Sequence, residues 1–223
     1  MTWIKVCGTT SLEDARAAVK AGADALGFVF AESPRKTTPE AAAKIVSQLP
    51  PAIEKVGVFV DQPAQKIREM VEQVGLTGIQ LHVDDEHLAE DRELLPWAEE
   101  RGLRIIIAVS MLETAGLGIE RPKAGAKHRV AMLLDSMTPS LRGGTGVAWD
   151  WKQFAPFVEA IRTKVDVIAA GGLKPENVQE AVRVLHPWGV DVASGVEREP
   201  GKKDHEKVRA FIAAVREAET PRG

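Results

Sequence analysis

Eight short runs of apolar and β-branched residues, near 3–7, 24–30, 54–60, 78–82, 104–109, 130–135, 165–169 and 189–192, alternate along the chain with longer stretches of helical period. A strand followed by a helix and a second strand pairs in parallel, because the crossover returns the chain to the edge where it began. Eight such units in 223 residues, with no linker dividing them, predict an α/β fold: a single-domain (β/α)8 TIM barrel over residues 1–223. The rival arrangement, an open doubly wound sheet, calls for a Gly-x-Gly-x-x-Gly turn after the first strand. Gly8-Thr9-Thr10-Ser11 does not supply it.

Local signals place the helices. Ser11 caps the first, Asp14 stands three residues on as in a capping box, and Gly22 closes it; its apolar stripe is Leu12, Ala15, Ala18 and Val19. Thr38 and Pro39 open the second, Ala42, Ile45, Val46 and Leu49 line its buried side, and Pro50-Pro51 stop it. Pro63 and Pro175 mark two further starts. Between 110 and 129, Gly116, Gly118, Pro122 and Gly125 break any helical period, so the fifth helix is expected to be short or replaced by a loop.

The charge balance, 29 basic against 32 acidic residues and a net of -3, gives no global electrostatic case for nucleic acid. No apolar stretch approaches the roughly 20 residues of a membrane span, and the first residues enter a strand without a basic leader, so a cytoplasmic protein is expected. A single cysteine excludes an internal disulfide and fits a reducing compartment.

In a barrel of this kind chemistry gathers at the C-terminal ends of the strands, so polar residues there are the candidates. Cys7 closes the first strand, Gln80 and His82 the fourth and Asp135 the sixth; Asp191 belongs to the eighth, and Arg35 lies in the loop after the second. Strand alternation puts Lys5 on the same face as Cys7, and an adjacent ammonium favours the thiolate; the bland reading of Cys7 is a small buried hydrophobe. Asp135 follows five apolar residues and is either a helix cap or a functional acid. No helix starts there, and desolvation would raise its pKa toward the range of a general acid. Glycine clusters after the last three strands, Gly143-Gly144 with Gly146, Gly171-Gly172 and Ser194-Gly195, suit backbone amides that cradle a phosphate. His82-Val83-Asp84-Asp85-Glu86-His87 has the composition of a metal site without its spacing, and no metal is expected. Lys202-Lys203 reads as the solvated entrance of a helix.

Lys5-Val6-Cys7-Gly8, Gly22-Ala23-Asp24-Ala25-Leu26-Gly27-Phe28-Val29-Phe30, Ser33-Pro34-Arg35, Ile79-Gln80-Leu81-His82, Leu134-Asp135, Gly143-Gly144-Thr145-Gly146, Ala170-Gly171-Gly172-Leu173 and Asp191-Val192-Ala193-Ser194-Gly195-Val196-Glu197, with Pro200-Gly201-Lys202-Lys203-Asp204, together resemble the phosphoribosylanthranilate isomerase family of tryptophan biosynthesis, nearly end to end. The resemblance implies an aldose-ketose isomerase, an intramolecular oxidoreductase, performing an Amadori rearrangement with Asp135 as acid and Cys7 as base. It assigns Arg35 to the anthranilate carboxylate and places Lys5, Gln80, His82 and Asp191 among the substrate contacts. The 5-phosphate falls to Gly143, Gly144, Gly146, Gly171, Gly172, Ser194 and Gly195. No cofactor is implied. The expected partner is a small sugar phosphate, with neither nucleic acid nor membrane, and the chain is a monomer or a homodimer. Val83 stands where the family usually has glycine, and Ala193 where serine is common. Two rivals remain: the related histidine-pathway isomerase, which uses an aspartate where Cys7 stands, and a non-catalytic phosphate-binding barrel.

Overall fold

The computed structural model describes residues 1–82, 88–110, 130–135 and 150–220, without the side chains of 88–93 and 110. The helix expected within 110–129, the glycines Gly143, Gly144 and Gly146, and the acidic run 83–87 lie outside the described residues. Eight parallel strands pair in chain order: β1 (Trp3–Val6), β2 (Ala25–Val29), β3 (Glu54–Val60), β4 (Gly78–His82), β5 (Arg104–Ser110), β6 (Val130–Asp135), β7 (Asp166–Ala169) and β8 (Gly189–Val192). β8 bonds back to β1 and closes the barrel. Seven helices are described: α1 (Leu12–Ala21), α2 (Pro39–Val46), α3 (Ala64–Val74), α4 (Leu88–Glu100), α5 (Trp151–Ile161), α6 (Val178–Leu185) and α7 (His205–Ala218). A short 3-10 turn, Ser194–Val196, follows β8 and leads into a hairpin of β9 (Glu197–Glu199) and β10 (Lys202–Lys203). None of the described helices is long and apolar enough to cross a membrane.

The strands fall within a residue or so of the apolar runs, because a barrel strand is covered on both faces and therefore reads as continuous apolar sequence. Its two faces still do different work. Ile4, Val6, Leu26, Phe28, Ile79, Leu81, Leu134, Val190 and Val192 pack outward in one cluster with the helices. Trp3, Ala25, Val56, Ile106, Ala108, Leu133 and Ile168 form a second cluster that fills the barrel. Since side chains alternate with period two, inward parity carries to the strand ends. Lys5, Cys7, Gln80, His82, Asp135 and Asp191 all have it.

The cap signals hold with two corrections. Ser11 accepts from the Asp14 amide at 3.1 Å, Thr38 from the Ala41 amide at 3.2 Å, and Gly22 ends α1 at φ 102°. Asp14 does not complete a capping box: its carboxylate is buried, 2.8 Å from His205 Nε2 and accepting from the Lys203 amide at 3.2 Å, and so ties α1 to the end of the chain. Pro175 does not open a helix directly. Asn177 accepts from the Lys174 amide at 2.8 Å and donates to the Gly172 carbonyl at 2.9 Å, which makes 174–177 a turn and delays α6 to Val178.

The N-terminal end of the barrel is plugged. Trp3 and Trp188 stack at 5.1 Å, and the Arg104 guanidinium lies 5.6 Å and 4.6 Å from their ring centroids. Glu54 holds that guanidinium in a bidentate pair at 2.7 Å and 3.0 Å. Burial pushes the nearby Asp166 carboxyl up, with Arg104 pulling the other way.

At the opposite end the loops after β7 and β8 touch closely. A β-carbon on Gly195 would lie 1.9 Å from the Leu173 carbonyl oxygen, so only glycine allows the approach. Gly195→Ala is expected to cost about 1–3 kcal/mol in chemical denaturation, the usual range for overpacking. A wild-type midpoint would show that these loops are not in contact.

Candidate active site

Lys5 is fully buried, and the register of β1 and β8 sets it directly beside Asp191. Its ammonium donates to Asp191 Oδ1 and to Gln80 Oε1, both at 2.9 Å. Burial opposes the charge, but Asp191 and the neighbouring Cys7 favour it more strongly, and the pKa of Lys5 ends above its ordinary value. β1, β4 and β8 thus share one buried cation.

That cation orients its neighbours. An ammonium only donates, so the Gln80 oxygen must face Lys5 and its NH2 must face away. The NH2 lies 3.2 Å from His82 Nε2, which therefore accepts, leaving the imidazole proton on Nδ1. Burial first, and then the Lys5 charge, push the pKa of His82 down to about 4, against smaller opposing effects of Asp191 and Asp61. His82 is a neutral imidazole with a fixed tautomer across the neutral range.

Cys7 sits one residue beyond β1, with Val29, Val58, Ala31 and Ala193 around it. Gly27 on β2 makes the room: a β-carbon there would lie 2.7 Å from Cys7 Sγ and 3.0 Å from Lys5 Cε. The expected balance at the thiol is reversed. Burial pushes it up by more than Lys5 and Lys203 pull it down, and Asp191 adds to the rise, so the thiol is protonated at rest. Asp135 ends β6, partly buried and with the inward parity of Leu133.

Arg35 is already engaged. Its Nε and Nη2 donate to the two oxygens of Glu197 at 2.9 Å and 2.8 Å, and its side chain crosses Gly8, where a β-carbon would fall 2.5 Å from Arg35 Cδ. Glu197 also accepts from Lys203 Nζ at 2.8 Å. Lys203 is 1% exposed, which corrects its reading as a solvated helix entrance. Glu197 and Lys203 were not singled out from sequence as site residues. The signal that finds them is the Pro200-Gly201 turn, which folds a hairpin and sets Lys203 opposite Glu197.

Of the glycine candidates, Gly171 and Gly172 adopt left-handed backbone at φ 76° and 65°, in the turn that Asn177 pins. Ser194 and Gly195 form the 3-10 turn beside it. Among the described residues no group of three or more His, Cys, Asp or Glu could hold a metal ion.

The His82 arrangement carries a pH signature. Its pKa is lower in the fold than the ordinary 6.5, so its contribution to stability is complete above about pH 6.5 and is lost as pH falls toward about 4. His82→Gln is expected to flatten the acid limb of stability over that window, measured by denaturant midpoints. Imidazole 15N shifts should find Nε2 bare and Nδ1 protonated at neutral pH; the reverse tautomer would overturn the network.

A family model described as N-(5'phosphoribosyl)anthranilate (PRA) isomerase matches residues 4–214. The N-(5'-phosphoribosyl)anthranilate isomerase of Pelobacter propionicus is 43% identical over 219 residues, 97% of each chain. The crystal structure of phosphoribosyl anthranilate isomerase from Thermotoga maritima superposes with a TM-score of 0.79 at 37% identity, covering 97% of this chain and 100% of that one. A crystal structure of the isomerase in complex with reduced 1-(o-carboxyphenylamino)-1-deoxyribulose 5-phosphate gives 0.76 at 34% identity, with the same coverage. A barrel whose polar inward-facing strand ends bear one thiol and two carboxylates, matched along nearly its whole length, belongs to the N-(5'-phosphoribosyl)anthranilate isomerase family.

Proposed function

We propose that this chain catalyses the Amadori rearrangement of N-(5'-phosphoribosyl)anthranilate to 1-(2-carboxyphenylamino)-1-deoxyribulose 5-phosphate in tryptophan biosynthesis, with Asp135 as general acid and Cys7 as general base. One observation carries the assignment: both residues stand at inward-facing ends of strands, on β6 and β1, with only β7 and β8 between them. The loops after β7 and β8 hold Gly171, Gly172, Ser194 and Gly195. A phosphate bound by their amides would lie between the acid and the base, with the sugar reaching to both.

The reaction needs two proton transfers at different atoms. Asp135 gives its proton to the furanose oxygen as the bond from C1 to that oxygen breaks, and the anthranilate nitrogen lone pair forms the C1=N iminium. Cys7, as thiolate, removes the proton on C2, and the electron pair left behind makes the C1=C2 bond while neutralising the nitrogen. The resulting enolamine tautomerises to the C2 ketone. Since burial favours the protonated thiol in the empty site, Cys7 gives up its own proton to water once the site is loaded, before it takes the proton from C2. There the iminium charge joins Lys5 and Lys203 in favouring the thiolate.

Arg35 is our candidate for the anthranilate carboxylate. Glu197 occupies Nε and Nη2, so the end-on edge formed by Nη1 and Nη2 is the one to meet a second carboxylate. Lys5, Gln80, His82 and Asp191 form the polar floor, where the Nδ1 proton of His82 is suited to a ribose hydroxyl. We place the enzyme in the cytoplasm, where a lone thiol stays reduced.

Turnover is measured on phosphoribosylanthranilate generated in situ, as loss of its fluorescence in the presence of a chelator. Cys7→Ala and Asp135→Asn are each expected to lose at least about 100-fold in kcat with the fold intact, the scale of general acid and base contributions. A folded Cys7→Ala protein with full turnover would remove the base from the mechanism. No turnover by the folded intact chain would redirect the search to the histidine-pathway substrate. Arg35→Ala should act mainly on binding, raising KM by about tenfold or more. Unchanged affinity for a product analogue carrying the anthranilate carboxylate would take that role from Arg35.

A further inference from the structure

One group of buried charges beside Cys7 takes part in no proton transfer. Lys203 Nζ donates to the Cys7 carbonyl at 2.5 Å, to the Ala193 carbonyl at 3.2 Å and to Glu197 Oε1 at 2.8 Å. Through Glu197 the same ammonium reaches Arg35, whose side chain crosses Gly8. The hairpin of β9 and β10 thereby grips the last residue before Gly8 and the guanidinium above it.

Charge counting gives this arrangement a direction. Lys5 and Asp191 balance each other, whereas Arg35 and Lys203 face Glu197 together; burial pushes Lys203 below its ordinary value, and Glu197 and the Cys7 thiolate are the anions that hold its charge in place. Asp14, behind Lys203, turns its carboxylate to the Lys203 amide and to His205, so among the described residues Glu197 is the carboxylate that meets both cation heads, and a buried cation is costly unless an anion answers it. Three anions belong to the reaction: the 5-phosphate, assigned above to the loops after β7 and β8, and the Cys7 thiolate and anthranilate carboxylate, which are the two assigned beside Lys203 and Arg35.

We propose that Lys203 and Glu197 are positioning residues that hold the base and the carboxylate clamp as one unit: Lys203 fixes Cys7 through its carbonyl and supplies positive charge for its thiolate, while Glu197 aims Arg35. The proposal rests on the acid-base reading of Cys7 given above. Among the described residues, the charged groups that bear on the thiol are Lys5 on β1, Asp191 on β8, Lys203 on the hairpin and Arg35 after β2; Glu197 acts on the last two, and Asp14 and His205 lie behind Lys203 at α1 and α7.

The chain offers a clean readout, because it has one cysteine and no tyrosine. Ultraviolet titration of the thiolate in the full-length protein reports Cys7 alone, with no tyrosinate beneath it. Lys203→Met should move the thiol midpoint up by about one pH unit, the scale of losing one nearby opposite charge, and should lower kcat more than it raises KM. Lys203→Arg should restore much of the midpoint. Glu197→Gln should move it the other way, down, because Arg35 and Lys203 then lose their carboxylate, and should raise KM through Arg35. Shifts of opposite sign support the unit. Unmoved midpoints in folded variants, with only thermal stability reduced, would make Lys203 and Glu197 scaffold and overturn the proposal. Should Lys203→Met fail to fold, Glu197→Gln decides alone, since a midpoint that stays or rises contradicts it. The titration requires no turnover, so a failed isomerase assay and a failed positioning role give different results.

Discussion

The polar ends of β1, β4 and β8 depend on a lysine buried where water cannot reach it. Removing an ammonium from water costs several kcal/mol unless fixed partners replace the solvent, and Lys5 has two, Asp191 and Gln80. Asp191 is available because β1 and β8 close the barrel in that register and in no other; a slip of one residue would turn the carboxylate outward into the helical shell. Barrel closure and site polarity are therefore one constraint. From it follow the direction of the Gln80 amide, the tautomer of His82 and part of the field on the Cys7 thiol.

The electrostatic logic is one of near balance rather than brute charge. Cations surround Cys7, yet the thiol stays protonated at rest because burial outweighs them and Asp191 cancels much of Lys5. Under the proposed mechanism, such a site would hold its base in reserve until positive charge develops on the substrate. A free thiolate in an open mouth would instead be exposed to oxidation and alkylation whenever the site is empty.

Much of this could be read from the chain alone, for identifiable reasons. Parallel strands buried on both faces leave unbroken apolar runs, so their limits were legible to within a residue or two, as were the caps at Ser11, Thr38 and Gly22. Lys5, Cys7, Gln80, His82, Asp135 and Asp191 stood out because a polar residue on an apolar strand is conspicuous, and strand parity brought all six inward. Lys203 and Glu197 were hidden by the reverse effect: among charged neighbours, a buried ion looks like any surface charge. The sign of the thiol shift was also hidden, since sequence shows which charges are near but not how much water is lost. Asp14 misled in a similar way, its spacing from Ser11 fitting a cap while its carboxylate served α7.

The plug of Trp3, Trp188 and Arg104 at the N-terminal end has a kinetic meaning. Trp3 is the last layer of the same inward-facing cluster, with Ala25, Val56, Ile106, Ala108, Leu133 and Ile168, that fills the barrel, so among the described residues only the C-terminal ends of the strands offer room for a substrate. Substrate, displaced water and product all pass at the C-terminal ends of the strands. Departure of product must precede the next arrival, and the two compete for one vacancy. Steady-state inhibition by product is then competitive with substrate, and the slowest event at saturation can be the departure of product rather than the movement of a proton.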